Sequence, residues 1–165
     1  MIGAVICFAC AVTCALVYLQ PVSKVDMHDS YQLSEMGYYR NIRESNENSD
    51  FEIEKYEMSF SIRNQLNANV KVYIKDVGKS RYDFTLYHGY IIKNVMDKNG
   101  KSVNFEQEGD YVSVFPNNLN DNVFEFVYSG SNMTFYSNYQ GAYLSGGFAY
   151  YPKAGRKKVF IIILS

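Results

Sequence analysis

At 165 residues the chain is long enough for one domain with a core of its own plus an appendage. Its formal net charge of −1 supplies no global attraction to a polyanion, which excludes nucleic acid as a partner on charge. Sixteen tyrosines and eleven phenylalanines, with no tryptophan and three prolines, suit half-buried strands better than a disordered chain, so mainly β structure is expected.

The chain opens on Ile2 to Leu19, eighteen residues without a charge, closed by Gln20-Pro21. That is the lower end of what crosses a bilayer as a helix. A secretory signal would open with lysine or arginine, whereas here the apolar run starts directly after Met1. Residues 1–20 are therefore expected to be a transmembrane helix or uncleaved signal anchor, with a cleaved signal as the alternative. Ile2 to Leu19 would contact the lipid bilayer. Without a basic cluster beyond Pro21, the exit is expected to be extracytoplasmic, placing the protein in a membrane with its later residues outside the cytoplasm. All the cysteines, Cys7, Cys10 and Cys14, lie in this run, which excludes a disulfide framework further on. Their spacing shares one helix face, but no histidine or carboxylate accompanies them, and small thiols are ordinary in apolar helices.

Residues 21–55 read as a polar linker. Between Lys24 and Lys55 eight acidic residues face four basic ones, with Ser, Asn and Gly interspersed. Leu33, Met36, Tyr39 and Ile42 leave room for one short amphipathic helix, although Gly37 interrupts it and the basic belt of a membrane-surface helix is absent.

A domain over 56–165 follows. Tyr56, Met58, Phe60 and Ile62 alternate with polar residues, as a half-buried strand does. Ala68, Val70, Val72 and Ile74 repeat the pattern, and Tyr82, Phe84 and Leu86 alternate with Asp83, Thr85 and Tyr87. Tyr90 to Val95 is a more continuous apolar run, ended by Asp97-Lys98-Asn99-Gly100, where Asn-Gly fits a tight hairpin leading to a returning strand at Val103 and Phe105. Gly109-Asp110 turns the chain into Tyr111 to Phe115, and a last clear alternation carries Phe124, Phe126 and Tyr128. Short strands at this spacing predict an antiparallel β-sandwich or saddle behind one N-terminal hydrophobic helix.

In order and spacing these strands resemble the N-terminal β domain of the aminopeptidase N family of zinc metallopeptidases, particularly bacterial members fused to ABC-permease-like membrane spans. The resemblance rests on Tyr56-x-Met58-x-Phe60-x-Ile62, on Phe84-x-Leu86 through Ile92-x-x-Val95 to the Gly100 turn, on Gly109-Asp110-Tyr111-Val112, on Tyr128-x-Gly130, and on Phe148-Ala149-Tyr150-Tyr151-Pro152. It implies a scaffold domain that forms part of a substrate-site wall. That family's zinc is held by a helix bearing His-Glu-x-x-His and a further glutamate. Here the histidines are His28 and His88, and neither begins that motif; Gly-x-Met-Glu-Asn is absent too. No catalytic or metal-ligating residue is therefore expected in this chain, and zinc would belong to a separate or missing catalytic domain. Lys158 to Leu164 reads as a further strand with no turn or partner after it, which suggests a truncated domain.

The remaining candidates are weak as sites. His88 beside Gly89 fits a turn residue better than a ligand. Glu106, Glu108 and Asp110 cluster at a hairpin without the alternating oxygens of a calcium loop. Asn132-Met133-Thr134 is a glycosylation sequon. Gln140 precedes the aromatic run, and Arg156-Lys157-Lys158 reads as a solvated turn. Tyr136, Tyr139, Tyr143, Phe148, Tyr150 and Tyr151 form the candidate binding surface. They would pack against a neighbouring catalytic domain; the alternative is an independent membrane-anchored module that stacks glycan or binds protein.

Overall fold

The computed structural model describes residues 2–19, 49–62, 65–131, 136–138, 141–144 and 149–156. The chain forms α1 (Ile2–Leu19), β1 (Ile53–Ile62), β2 (Leu66–Ile74), β3 (Tyr82–Thr85), β4 (Tyr90–Asp97), β5 (Asn104–Glu108), β6 (Tyr111–Phe115), β7 (Val123–Gly130), β8 (Tyr136–Asn138), β9 (Gly141–Tyr143) and β10 (Lys153–Ala154). Of the linker read above over 21–55, residues 21–48 lie outside the described residues, as do Lys158 to Leu164, read as a further strand; residues 49–55 are described, and β1 already begins at Ile53.

α1 is an uncharged helix of 18 residues. Within it the Thr13 hydroxyl is satisfied locally, donating to the Ala9 carbonyl at 2.8 Å. A helix of this length rises about 27 Å, short of the roughly 30 Å of hydrocarbon in a bilayer. Among the described residues no helix is long and apolar enough to cross a membrane. The transmembrane helix expected over residues 1–20 thus stands as a short apolar helix.

The strands form two four-stranded antiparallel sheets, ordered β1-β2-β7-β4 and β10-β3-β6-β5, while β8 and β9 pair as a separate hairpin. In the first sheet Ala68 faces Tyr128, Val70 faces Phe126 and Val72 faces Phe124. These residues are all buried, as their alternation requires. Aromatic rings join the two sheets: Tyr82 meets Phe124 at 5.4 Å and Phe84 meets Phe126 at 5.1 Å between centroids. Phe51 adds an edge-on ring at 5.1 Å from Tyr82 and 5.3 Å from Phe84, so packed residues begin before β1. Each fully buried ring contributes about 1.5–3 kcal/mol.

Three local readings of the sequence are corrected. The Tyr90 to Val95 run is two alternations out of phase, because pairing jumps from Ile92 with Tyr128 to Asn94 with Val127. That bulge takes up Lys93 as an extra residue and turns Val95 and Asp97 inward after Tyr90 and Ile92. The Asp97 turn is a three-residue loop, Lys98 to Gly100, in which only Gly100 has positive φ, at 76°. Thirdly, β5 pairs with β6 rather than with β4: the residues before it meet β4 through the bridge of Met96 with Ser102 and the Val103 N–H bond to the Val95 carbonyl, and β5 itself reaches the β4 backbone through the Gln107 side chain.

The expected outward face of β3 is also covered. Thr85 and Tyr87 are buried, and residues 149–155 run alongside them, β10 pairing with β3 at the sheet edge. Thr85 Oγ1 donates to the Gly155 carbonyl at 2.6 Å, and the Tyr87 N–H to the Ala149 carbonyl at 2.9 Å.

Candidate functional site

Residues 149–153 carry the end of the aromatic run back along β1, the edge strand of the first sheet. Two tyrosine hydroxyls from that sheet hold the returning backbone: Tyr56 donates to the Pro152 carbonyl at 2.8 Å and Tyr128 to the Tyr150 carbonyl at 2.6 Å. Burial, and secondarily Tyr151, pushes the Tyr56 hydroxyl's pKa up. Burial also pushes up Tyr128, with Tyr90 and Tyr150 adding to it. Both groups therefore remain protonated donors at neutral pH and act as staples rather than acids or bases.

The stapled segment presents an aromatic ledge. Tyr151 meets Tyr56 at 5.2 Å and 81°, and Tyr150 at 5.0 Å and 71°. Tyr150 in turn meets Phe60 at 6.1 Å and 66°. All four side chains belong to half-buried residues. Lys153 places its ammonium 5.4 Å from the Tyr151 ring centre, a cation–π distance. Edge-to-face rings make a corrugated apolar surface.

Of the predicted aromatic surface, the structure brings Tyr150 and Tyr151 together. Tyr136 and Tyr143 are register partners across the β8–β9 hairpin. Tyr139, Phe148, Gln140, Asn132 and His28 lie outside the described residues. Tyr56 and Phe60 are the members that sequence reasoning assigned only to a core face. Their strand pattern was visible, but nothing local marks β1 as an edge that a segment ninety residues away would cover.

A second polar constellation sits at the β5–β6 turn. Asp110 is turned inward, away from the exposed Glu106 and Glu108, and its Oδ1 lies 2.7 Å from the His88 backbone nitrogen and 2.9 Å from His88 Nδ1. The His88 ring lies 4.3 Å from that of Tyr87. His88 is thus a tied turn residue, with the carboxylate orienting its ring. Among the described residues no group of three or more His, Cys, Asp or Glu side chains could hold a metal ion. Arg156, read as part of a solvated turn, is instead partly buried, with its guanidinium 5.4 Å from the Tyr111 ring centre. Lys157 and Lys158 lie outside the described residues.

No known family description matches this sequence. No curated protein matches it either. In fold, the chain is similar to crystal structures of the M1 zinc metallopeptidase from Deinococcus radiodurans. One, of a mutant, aligns at a TM-score of 0.50 and 16% identity, covering 62% of this chain and 28% of that one. The enzyme itself gives 0.44 and 17%, over 52% and 21% of the two chains. The mutant bound to a Tyr-Ser-Ala substrate gives 0.43 and 16%, over 49% and 20%. At such identities the likeness is one of fold, and its weight rests on the first of the three. The chain spans little more than a quarter of that enzyme's length. The likeness provides no support for a fusion to permease-like spans.

Proposed function

We propose that this chain is a non-catalytic β domain of an aminopeptidase-like zinc metallopeptidase, serving as scaffold and partial substrate-site wall for a separate catalytic domain. The observation that carries the reading is the two-sheet fold, which aligns with an M1 zinc metallopeptidase over 62% of the chain. The half-exposed ledge of Tyr56, Phe60, Tyr150 and Tyr151 is the docking face. Zinc resides in the catalytic partner. α1 tethers the protein to a membrane, with the β domain on the extracytoplasmic side; its lack of charge and the exposure of Val5, Ile6, Phe8 and Leu16 support this.

The test pairs the full chain with the product of any neighbouring reading frame that encodes His-Glu-x-x-His. Alone, the chain is expected to hold no stoichiometric zinc and to cleave no aminoacyl reporter, whereas the pair should co-purify and turn the reporter over. Metal-dependent turnover by the chain alone would overturn the reading. So would a pair whose activity and association are unchanged by Tyr151→Asp on the ledge. Recovery of the chain in the soluble fraction would remove the tether and leave the domain assignment standing.

A further inference from the structure

We infer that the cleft between the turn before β3 and the end of β10 binds a small oxyanion, a carboxylate or a phosphate, through Arg156 and Arg81. The cleft encloses about 690 Å³ and lies between residues 49–51, 78–83 and 155–156. Three cations line it, Lys79, Arg81 and Arg156, against two carboxylates, Asp50 and Asp83. Lys79 and Asp50 neutralise one another at 2.7 Å. Asp83 is then shared by two guanidinium groups. Arg81 Nη2 holds one of its oxygens at 2.8 Å, while Arg156 Nη2 stands 3.6 Å from the other. That second oxygen already accepts Ser113 Oγ at 2.6 Å. Among the described residues, one positive charge in the cleft is left without a counter-ion of its own.

Arg156 is the group its own protein serves least. Its hydrogen bond to Ser113 Oγ is long, at 3.4 Å, and its Nε is buried with no hydrogen-bond partner among the described residues. Guanidinium carries five donors in a fixed fork that matches the two oxygens of a carboxylate or phosphate. Leaving a buried donor unbonded costs about 1–3 kcal/mol, and an anion drawing the side chain toward the cleft offsets that loss. The Tyr111 ring beside the guanidinium supports the group without competing for its donors. Close approach of Ser49 to Gly155, where an added Cβ would lie 2.7 Å from the Ser49 nitrogen, fixes the two walls against each other. The inference is independent of the metallopeptidase reading.

Titration of the full chain with inorganic phosphate and, separately, with acetate, at constant ionic strength and followed by amide resonances, tests it. Saturable shifts at Lys79, Gly155 and Arg156 are expected with at least one anion, and which one saturates identifies the ligand chemistry. Arg81→Ala, a change at a half-exposed side chain that leaves the core untouched, and Arg156→Lys, which keeps the charge but loses the fork, should each weaken binding about tenfold, or about 1.4 kcal/mol. Lys55→Ala, on β1, should leave it unchanged. The inference fails if neither anion saturates, or if both arginine variants bind as the parent does.

Discussion

The two sheets share one core but are held together in different ways. The first has strands of eight to ten residues in long ladders that shift register at Glu54 and Lys93, and its outer face is covered by ordinary cross-strand polar pairs, Asn69 with Glu125 at 2.5 Å and Tyr73 with Glu57 at 3.0 Å. The second has strands of two to five residues, and it holds buried Thr85 and Ser113 with buried Asp110 in its β5–β6 turn. Its side chains take up backbone groups that no ladder pairs: Thr85 the Gly155 carbonyl beyond the two-residue β10, and Gln107 the free edge of β4 in the facing sheet. The first sheet is thus a stabilising slab. The charged cleft and the tied His88 both belong to the second, where polar side chains are already fixed in place.

The largest expected effect breaks the first sheet at its most intimate point. At Gly130, φ is +154° and an added Cβ would overlap the Gly89 carbonyl, with the Tyr90 Cα at 3.0 Å. These are backbone atoms of the paired strand and have nowhere to go. Gly130→Ala is expected to cost about 3 kcal/mol or more, through overpacking and an unfavourable backbone conformation. A urea midpoint within error of the parent would show that β4 and β7 are less closely apposed than described.

A smaller effect separates the sheets at one side. Gln107 on β5 acts as a substitute strand for the outer edge of β4, accepting from the Ile92 N–H at 3.0 Å and donating to the Tyr90 carbonyl at 2.8 Å. Gln107→Leu keeps the bulk and leaves both backbone groups unbonded, for a loss of about 2 kcal/mol. Amide exchange should quicken at Ile92 while the β2–β7 amides keep their protection. Equal acceleration in both would mean that the amide has no local role.

The same contrast explains what could be read from the residues alone. Leu66 to Ile74 and Val123 to Gly130 lie in the first sheet, where one face is buried and the other wet, so period two is written directly into the sequence. The inward face of β3, with Tyr82 and Phe84, was legible in the same way, but the burial of Thr85 and Tyr87 was not, since residues 149–155 pack alongside them and local alternation carries no information about a segment so distant. The bulge at Lys93 hides in an apolar run because Ile91, exposed at the surface, looks no different from Ile92. The ledge was half legible: Tyr150 and Tyr151 stood out as a cluster, while Tyr56 and Phe60 join them only because β1 is an edge. Arg156 looked like one of three solvated cations, and only the positions of Asp83, Ser113 and Tyr111 distinguish it.

The smallest effect concerns Asp97, at the turn that passes the chain from the first sheet to the second. Burial by itself would raise this carboxyl's pKa. The N–H groups of Lys101 at 3.0 Å and Asn99 at 2.8 Å outweigh it, together with Asn117 and the Lys101 charge, and the net shift is below the ordinary 3.8. A carboxylate held more acidic in the folded chain binds its proton more readily when unfolded, so its contribution is complete above pH 3.8 and is lost as pH falls through the lower folded value. Asp97→Asn retains an oxygen that can accept the same N–H groups but removes the charge, and should lower stability at neutral pH by about 1 kcal/mol. The gap between variant and parent should then close as the solution is acidified below pH 3.8, which urea midpoints over a pH series will show. A gap that persists unchanged at the acid end would assign Asp97's role to shape rather than charge, and the joint between the sheets would then rest on Gly100 and the loop's backbone bonds alone.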